Sequence, residues 1–227
     1  YWHAERQNPQ RNHLLWKKQF AHKQGIKLIT IFEDEWTLKP EIVKSRILSM
    51  LGLVTKLDAR KCKIVEPEFT KVKTFLNDYH LQGYTPFKKA YGLMLNNELI
   101  SVATFKRTSF VKGGNGQDWE LSRLVSKLGV TVRGGASRLI ATFKRNNSGS
   151  LISFADSRWS TGHVYAQLGF KFVGTTSPSY WYIENRYTKR VHRSKYMKHK
   201  LPGDGTEWER AQVMGLDRIW DCGNTKW

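Results

Sequence analysis

The 227-residue sequence has no run of about 18 consecutive apolar residues, the length a membrane-spanning helix requires. Cysteine is scarce, with only Cys62 and Cys222, far apart in the chain. That excludes a disulfide framework, and no short-spaced Cys or His accompanies them as a zinc ribbon would need. Two reduced thiols are the default reading. Both fall in strand-like segments, so one long-range pair stays open. No secretory leader is visible in Tyr1-Trp2-His3-Ala4-Glu5-Arg6, and without an initiator Met the natural start is expected upstream. Acidic residues are few, with 19 Asp and Glu against 38 Lys and Arg. Aromatics are plentiful: nine Trp, nine Tyr and eleven Phe exclude a globally disordered chain.

The charge balance is 38 − 19 = +19, with a pI near 10.0. An excess of this size, clustered along the chain, is the electrostatic footprint of a polyanion-binding protein. Nucleic acid, DNA foremost, is the expected partner, against the plainer reading of a basic protein that merely stays dissolved. No membrane partner is expected, and the oligomeric state is open. The length suits one large domain or two small ones.

Apolar periodicity gives a helix over His13–Lys23, stopped by Gly25. Ile26-Lys27-Leu28-Ile29-Thr30-Ile31-Phe32 is a β-branched run of strand length. Pro40 opens a helix running from Glu41 to Leu51, and residues 54–61 read as a linker. A strand follows at 62–65, then a helix with Phe69, Val72, Phe75 and Leu76 on one face. Strands at 91–95 and 99–105 flank the turn signal Asn96-Asn97. Lys112 to Gly116 is a glycine-rich loop, and 119–124 a strand. A helix starts at Gly134-Gly135-Ala136, followed by a strand at 151–155 and a helix at 161–168. Further strands are expected at 170–173, 179–183 and 218–221. This order predicts a mixed α/β (α+β) fold whose sheet is mostly antiparallel and flanked by helices.

A strand that runs through Glu120 into a glycine-rich turn opening a helix places backbone N–H groups at a helix N-terminus, an anion-binding arrangement. The two glycines alone are equally served by tight packing. Thr131-Val132-Arg133-Gly134-Gly135-Ala136 with Tyr165-Ala166-Gln167-Leu168-Gly169-Phe170 resembles the GNAT acyltransferase fold over most of residues 60–227. The resemblance implies an acyl-CoA phosphate loop at Arg133, Gly134, Gly135 and Ala136. It also implies Tyr165 as the acid that protonates the leaving thiolate and Glu120 as the base. Thr131 departs from the family, which has a basic or amide residue there, and argues against ordinary acetyl-CoA use. Phe154-Ala155-Asp156-Ser157-Arg158-Trp159 is similar to GNAT-like phage enzymes that act on DNA bases. That likeness implies a catalytic role for Asp156 and DNA contacts for Arg158 and Trp159. An Asp156–Arg158 structural pair with Trp159 in the core is the other reading.

The first fifty or so residues, with Tyr1-Trp2-His3 and Phe32-Glu33-Asp34-Glu35-Trp36, resemble the later half of a nuclease domain related to very-short-patch-repair (Vsr-like) endonucleases. Such domains occur in phage homing endonucleases. The resemblance divides the chain into a partial nuclease segment, 1–57, and a GNAT-like domain, 58–227. It implies His3 as an acid/base group and Trp2 as a wedge between bases. The strand carrying the main metal carboxylate would lie before Tyr1, so Mg²⁺ would be bound only with that strand, and no metal ligand is assigned here. Glu33, Asp34 and Glu35 read as helix-entry or supporting charges. A cytoplasmic protein of an infected or host bacterial cell is implied.

Arg186 to Lys200 holds seven Lys and Arg, two His and two Tyr with no acid. A single-sign run with interleaved aromatics suits phosphate contact plus base stacking. Its candidate contacts are Arg186, Tyr187, Lys189, Arg190, Arg193, Lys195, Tyr196, Lys198 and Lys200. A solvated loop is the alternative. The expected function is DNA binding of the homing-endonuclease type, with the GNAT-like part serving recognition. A transferase acting on a DNA base or a small amine is the second expectation.

Overall fold

The structure, a computed structural model, describes residues 3–7, 9–108, 118–184 and 189–227. The helices among them are α1 (His13–Lys23), α2 (Glu33–Leu38), α3 (Pro40–Met50), α4 (Phe69–Tyr79), α5 (Gly135–Asn146), α6 (His163–Gln167) and α7 (Glu207–Val213). The strands are β1 (Thr55–Asp58), β2 (Lys63–Val65), β3 (Lys89–Leu95), β4 (Glu98–Arg107), β5 (Trp119–Ser126) and β6 (Val130–Arg133), followed by β7 (Leu151–Asp156), β8 (Gly174–Thr175), β9 (Tyr180–Glu184), β10 (Lys189–His192), β11 (Asp217–Trp220) and β12 (Asn224–Lys226). The class is mixed α/β. The expected glycine-rich loop at 112–116 lies outside the described residues.

Two compact units interleave along the chain. One comprises Tyr1–Thr37, Ala155–His163 and Phe172–Lys226; the other comprises Leu38–Phe154, Val164–Lys171 and Trp227. The expected boundary at 57/58 falls inside the second unit.

In the second unit the strands run β2-β3-β4-β5-β7. The first four pair antiparallel, whereas β5 and β7 pair in parallel over Trp119–Leu121. Alternation along β4 sends Phe105 and Ala103 to one face and Val102 to the other, as a period of two demands. On the first face Phe105 stacks on Phe143 of α5 at 3.8 Å between centroids. Such a pair adds about 0.5–1.5 kcal/mol beyond the area it buries. On the other face Val72, Phe75 and Leu76 of α4 cover Val102 and Ala90. The β3–β4 turn needs two left-handed residues, and Asn96 and Asn97 supply them at φ 50° and 63°.

The first unit is built on the antiparallel sheet β10-β9-β11. Both faces of β9 are covered, which is why Tyr180-Trp181-Tyr182-Ile183 reads as unbroken apolar and aromatic sequence. Trp181 and Ile183 meet Ala4, Leu14 of α1 and Phe32, while Tyr180 and Tyr182 meet Leu201, Ala211 of α7 and Leu216. β8 and β12 form a short antiparallel pair.

Three expectations are corrected. Ile26–Phe32 is not a strand: it pairs with no described strand, and Thr30 N–H donating to the Arg158 carbonyl at 3.3 Å is an isolated bond. β-branched composition favours extended backbone but cannot supply a ladder partner. Residues 54–61 are not a bare linker, since β1 pairs in parallel with β6 and a 3-10 turn follows at Ala59–Lys61. Phe170–Val173 is irregular and the strand is displaced to β8.

Candidate nucleic-acid interface

From Lys189 onward the basic tract forms a sheet edge. β10 occupies the rim of its sheet, and 3-10 turns follow at Arg193–Tyr196 and Lys198–Lys200. Arg186 and Tyr187 lie outside the described residues, as does Trp2. Lys189, Lys195, Lys198 and Lys200 are exposed. The Lys195 ammonium pairs with Glu184 at 2.5 Å, and Lys200 Nζ donates to the Ser194 carbonyl at 2.7 Å. The Arg193 guanidinium lies 4.5 Å from the Tyr180 ring centroid. Tyr196 is turned inward: its hydroxyl donates to Glu184 and its ring meets Tyr182 edge-on. It is therefore a packing group rather than an open stacking platform.

Arg190 is also committed inward, to a buried ion cluster. Its guanidinium pairs with Asp34 at 2.5 Å and Glu35 at 2.9 Å. Glu35 holds Arg158 at 3.0 Å, and Arg158 pairs with Asp156 at 2.7 Å. Phe32 lies under both guanidinium groups, 3.8 Å from that of Arg190 and 4.2 Å from that of Arg158. Side-chain exposure is 4% for Arg158 and 6% for Glu35, so these charges are out of reach of an external phosphate. Burial opposes the charge on Arg158, and the carboxylates of Asp156 and Glu35 more than restore it, so its proton is held more firmly than usual. Burial likewise pushes the Glu35 carboxyl up, but Arg158, Arg190 and the Phe32 N–H bring it below the ordinary range. Glu33, Asp34 and Glu35 form the first turn of α2, where acid favours the helix dipole. With Asp34 and Glu35 held by guanidinium groups, they do not fit a Mg²⁺ site.

The glycine turn has structural reasons for its composition. Gly134 is left-handed at φ 71°, and a Cβ on Gly135 would stand 3.0 Å from the Val132 Cβ and 3.2 Å from Leu93. Arg133 is exposed at the end of β6, opposite Asp58 in the parallel register, and Ala136 lies in the first turn of α5. Ser49 of α3 hydrogen-bonds Thr131 at 3.1 Å, which brings α3 to the strand leading into the turn. No side chain caps α5. Glu120 is buried and paired with Lys106 at 3.0 Å. Tyr165 packs against Phe170 and Trp227. Burial raises the Tyr165 phenol, opposed by its hydrogen bond with Ser153, so it stays protonated at neutral pH. His3 is exposed beside His13 at 5.6 Å, and its pKa is lowered by partial burial, then by Lys17 and His13. Both cysteines are free and buried.

Trp159 is 3% exposed and forms part of the wall of a cavity of about 310 Å³, together with Lys18, His22, Lys27, Ser157 and Thr161. Sequence reading missed this gathering. The β-branched look of residues 26–32 pointed to a sheet, and nothing local links α1 to residues 157–161.

Compared with models of known protein families, the chain matches none, and no curated protein matches it.

Proposed function

We propose that the protein binds DNA through the edge formed by β10 and the two following 3-10 turns. The observation that carries this reading is the exposure of Lys189, Lys195, Lys198 and Lys200 along one ordered segment, in a chain of net charge +19. Asp34, Glu35 and Asp156 are drawn inside to serve Arg190 and Arg158, and Glu5 serves Arg218, while at the edge itself Glu184 pairs with Lys195. A duplex lying on the exposed edge would release counterions, giving a slope of log affinity on log salt of about −0.9 per phosphate contact. Replacing Lys189, Lys198 and Lys200 by Gln is expected to make that slope shallower by about 2–3 units. An unchanged slope in a folded variant overturns the reading. The homing-endonuclease type belongs to this proposal, with the second unit serving recognition. Asp34 and Glu35, held by guanidinium groups, would supply no Mg²⁺ site for strand cleavage.

A GNAT-type transferase is the second reading. β5 and β7 pair in parallel for only three residues before parting, and β6 runs through a left-handed Gly134 into the uncapped α5. Acyl-CoA would lay its phosphates on Gly135 and Ala136 N–H groups beside Arg133, and Tyr165 would hold a proton for the leaving group. When bound, the cofactor supplies the activated acyl group. With Thr131 at the loop's first position, acetyl-CoA is expected to bind weakly. Calorimetry showing tight binding that Gly134→Val abolishes would promote the transferase reading.

A further inference from the structure

The cavity in the first unit lies between the C-terminal half of α1, the segment Gly25–Leu28 and residues 157–161. At about 310 Å³ it falls at the lower end of the size range of small-ligand sites. The charged groups of its lining are all basic. Lys18, His22 and Lys27 bring basic nitrogens, Ser157, Ser160 and Thr161 bring hydroxyls, and no carboxylate lines it. Ser157 is only 5% exposed and Lys18 is half-buried, whereas His22, Lys27 and Thr161 are exposed. Basic and hydroxyl groups lining one cavity, with no carboxylate among them, suit an acceptor-rich ligand. Apolar groups line it as well: Ile26 and Leu28, both exposed, and the nearly buried Trp159.

Basic nitrogens and hydroxyls match a phosphate, which offers only acceptors at its free oxygens. An apolar wall with an indole matches a flat, weakly polar ring. One ligand class joins the two in a single small molecule. We propose that this cavity binds one nucleotide, its phosphate against Lys18, Lys27 and Thr161 and its base along Ile26, Leu28 and Trp159. The inference deepens the DNA-binding reading, because the same chemistry accepts a free mononucleotide or an unpaired nucleotide of a strand.

The test is calorimetric titration of the full chain with deoxyadenosine monophosphate, deoxyadenosine and inorganic phosphate, then competition by a short single-stranded oligonucleotide and by the equivalent duplex. Saturable one-to-one binding of the mononucleotide is expected, with the nucleoside and phosphate each at least tenfold weaker. Lys18→Gln and Thr161→Val are each expected to weaken it at least fivefold. Lys27→Gln, on an exposed segment where folding is not at stake, is expected to weaken it as well. The single strand should compete better than the duplex if the source is nucleic acid, and equal, feeble competition by both marks a free nucleotide. Absence of saturable mononucleotide binding overturns the proposal, as does binding that Lys18→Gln and Lys27→Gln both leave within twofold. Phosphate binding as tight as the mononucleotide removes the role of the apolar wall and overturns it too. Duplex affinity measured against salt on the same variants separates the two readings. A lost pocket with an unchanged duplex slope sinks only this inference, and a retained pocket with no duplex binding sinks only the DNA-binding edge.

Discussion

Arg158 is the residue on which the first unit's interior charge turns. It is buried between Glu35 and Asp156, with Phe32 beneath its guanidinium plane. Removing one partner of such a group leaves an uncompensated buried charge, which costs about 3–5 kcal/mol. Arg158→Met is therefore expected to lower unfolding free energy by that order, measured by urea titration, while a replacement of exposed Lys198 is expected to be silent. The pH dependence has a fixed sign. The folded Glu35 carboxyl is depressed below its ordinary 4.5, so its contribution is complete above that value and is lost as pH falls through the depressed folded value. Glu35→Gln should flatten this acid limb of the stability curve, and a limb of unchanged steepness would contradict the assignment. Gly223 is a second single-residue constraint. Its φ is +69°, and a Cβ there would lie 2.3 Å from the Thr176 carbonyl oxygen. Gly223→Ala is expected to lose about 1–3 kcal/mol from the backbone strain alone, read from the same titration.

At the scale of elements, sequence was most legible where local chemistry and tertiary environment agree. α1 runs His13–Lys23 as its pattern and Gly25 indicate, and α4 places Val72, Phe75 and Leu76 on its buried face. The Asn96-Asn97 turn was legible because only a few residues tolerate left-handed backbone twice in succession. Asn97→Val is expected to cost about 1–2 kcal/mol by forcing a β-branched residue to φ 63°, and Asn97→Gly to be neutral or stabilising; thermal melts of the pair check the ordering. Ile26–Phe32 misled because composition reports extended backbone but not the presence of a neighbouring strand. β10 was hidden for the opposite reason: Lys189-Arg190-Val191-His192 has an edge strand's charged sequence, which resembles a solvated loop until its partner β9 is known. One limb of the ion cluster was legible, since an Asp156–Arg158 pair with Trp159 in the core was one of two open readings and is what the structure shows; the full cluster was not. Asp34, Glu35, Asp156, Arg158 and Arg190 come from three distant stretches, and only folding makes them neighbours. Reading Arg158 and Arg190 as phosphate contacts took their charge at face value, whereas burial decides whether a charge is available.

For the whole molecule, the separation of buried pairs from exposed cations predicts how stability should respond to salt. The net charge is 38 − 19 = +19, and the interior cluster nearly cancels within itself, which leaves that excess on the rest of the molecule. The outer surface therefore carries self-repulsion that favours expansion. Screening should relieve it, since the Debye length falls from about 30 Å at 0.01 M to about 8 Å at 0.15 M. Buried pairs are screened far less and should not offset the gain. Melting temperature is thus expected to rise between 0.01 and about 0.15 M sodium chloride, whereas a fold held by surface ion pairs would lose stability over that range. Duplex DNA at low salt should substitute for the screening and raise the melting temperature further, because a ligand that binds the native state stabilises it by mass action. That increment should vanish near about 0.5 M salt as phosphate contacts lose their counterion-release advantage. Scanning calorimetry at three salt concentrations, with and without duplex, checks both effects. A melting temperature that falls steadily with salt would show that the surface pairs, not the buried cluster, hold the fold, and a DNA increment that persists at the highest salt would show that the contact is not chiefly to phosphates.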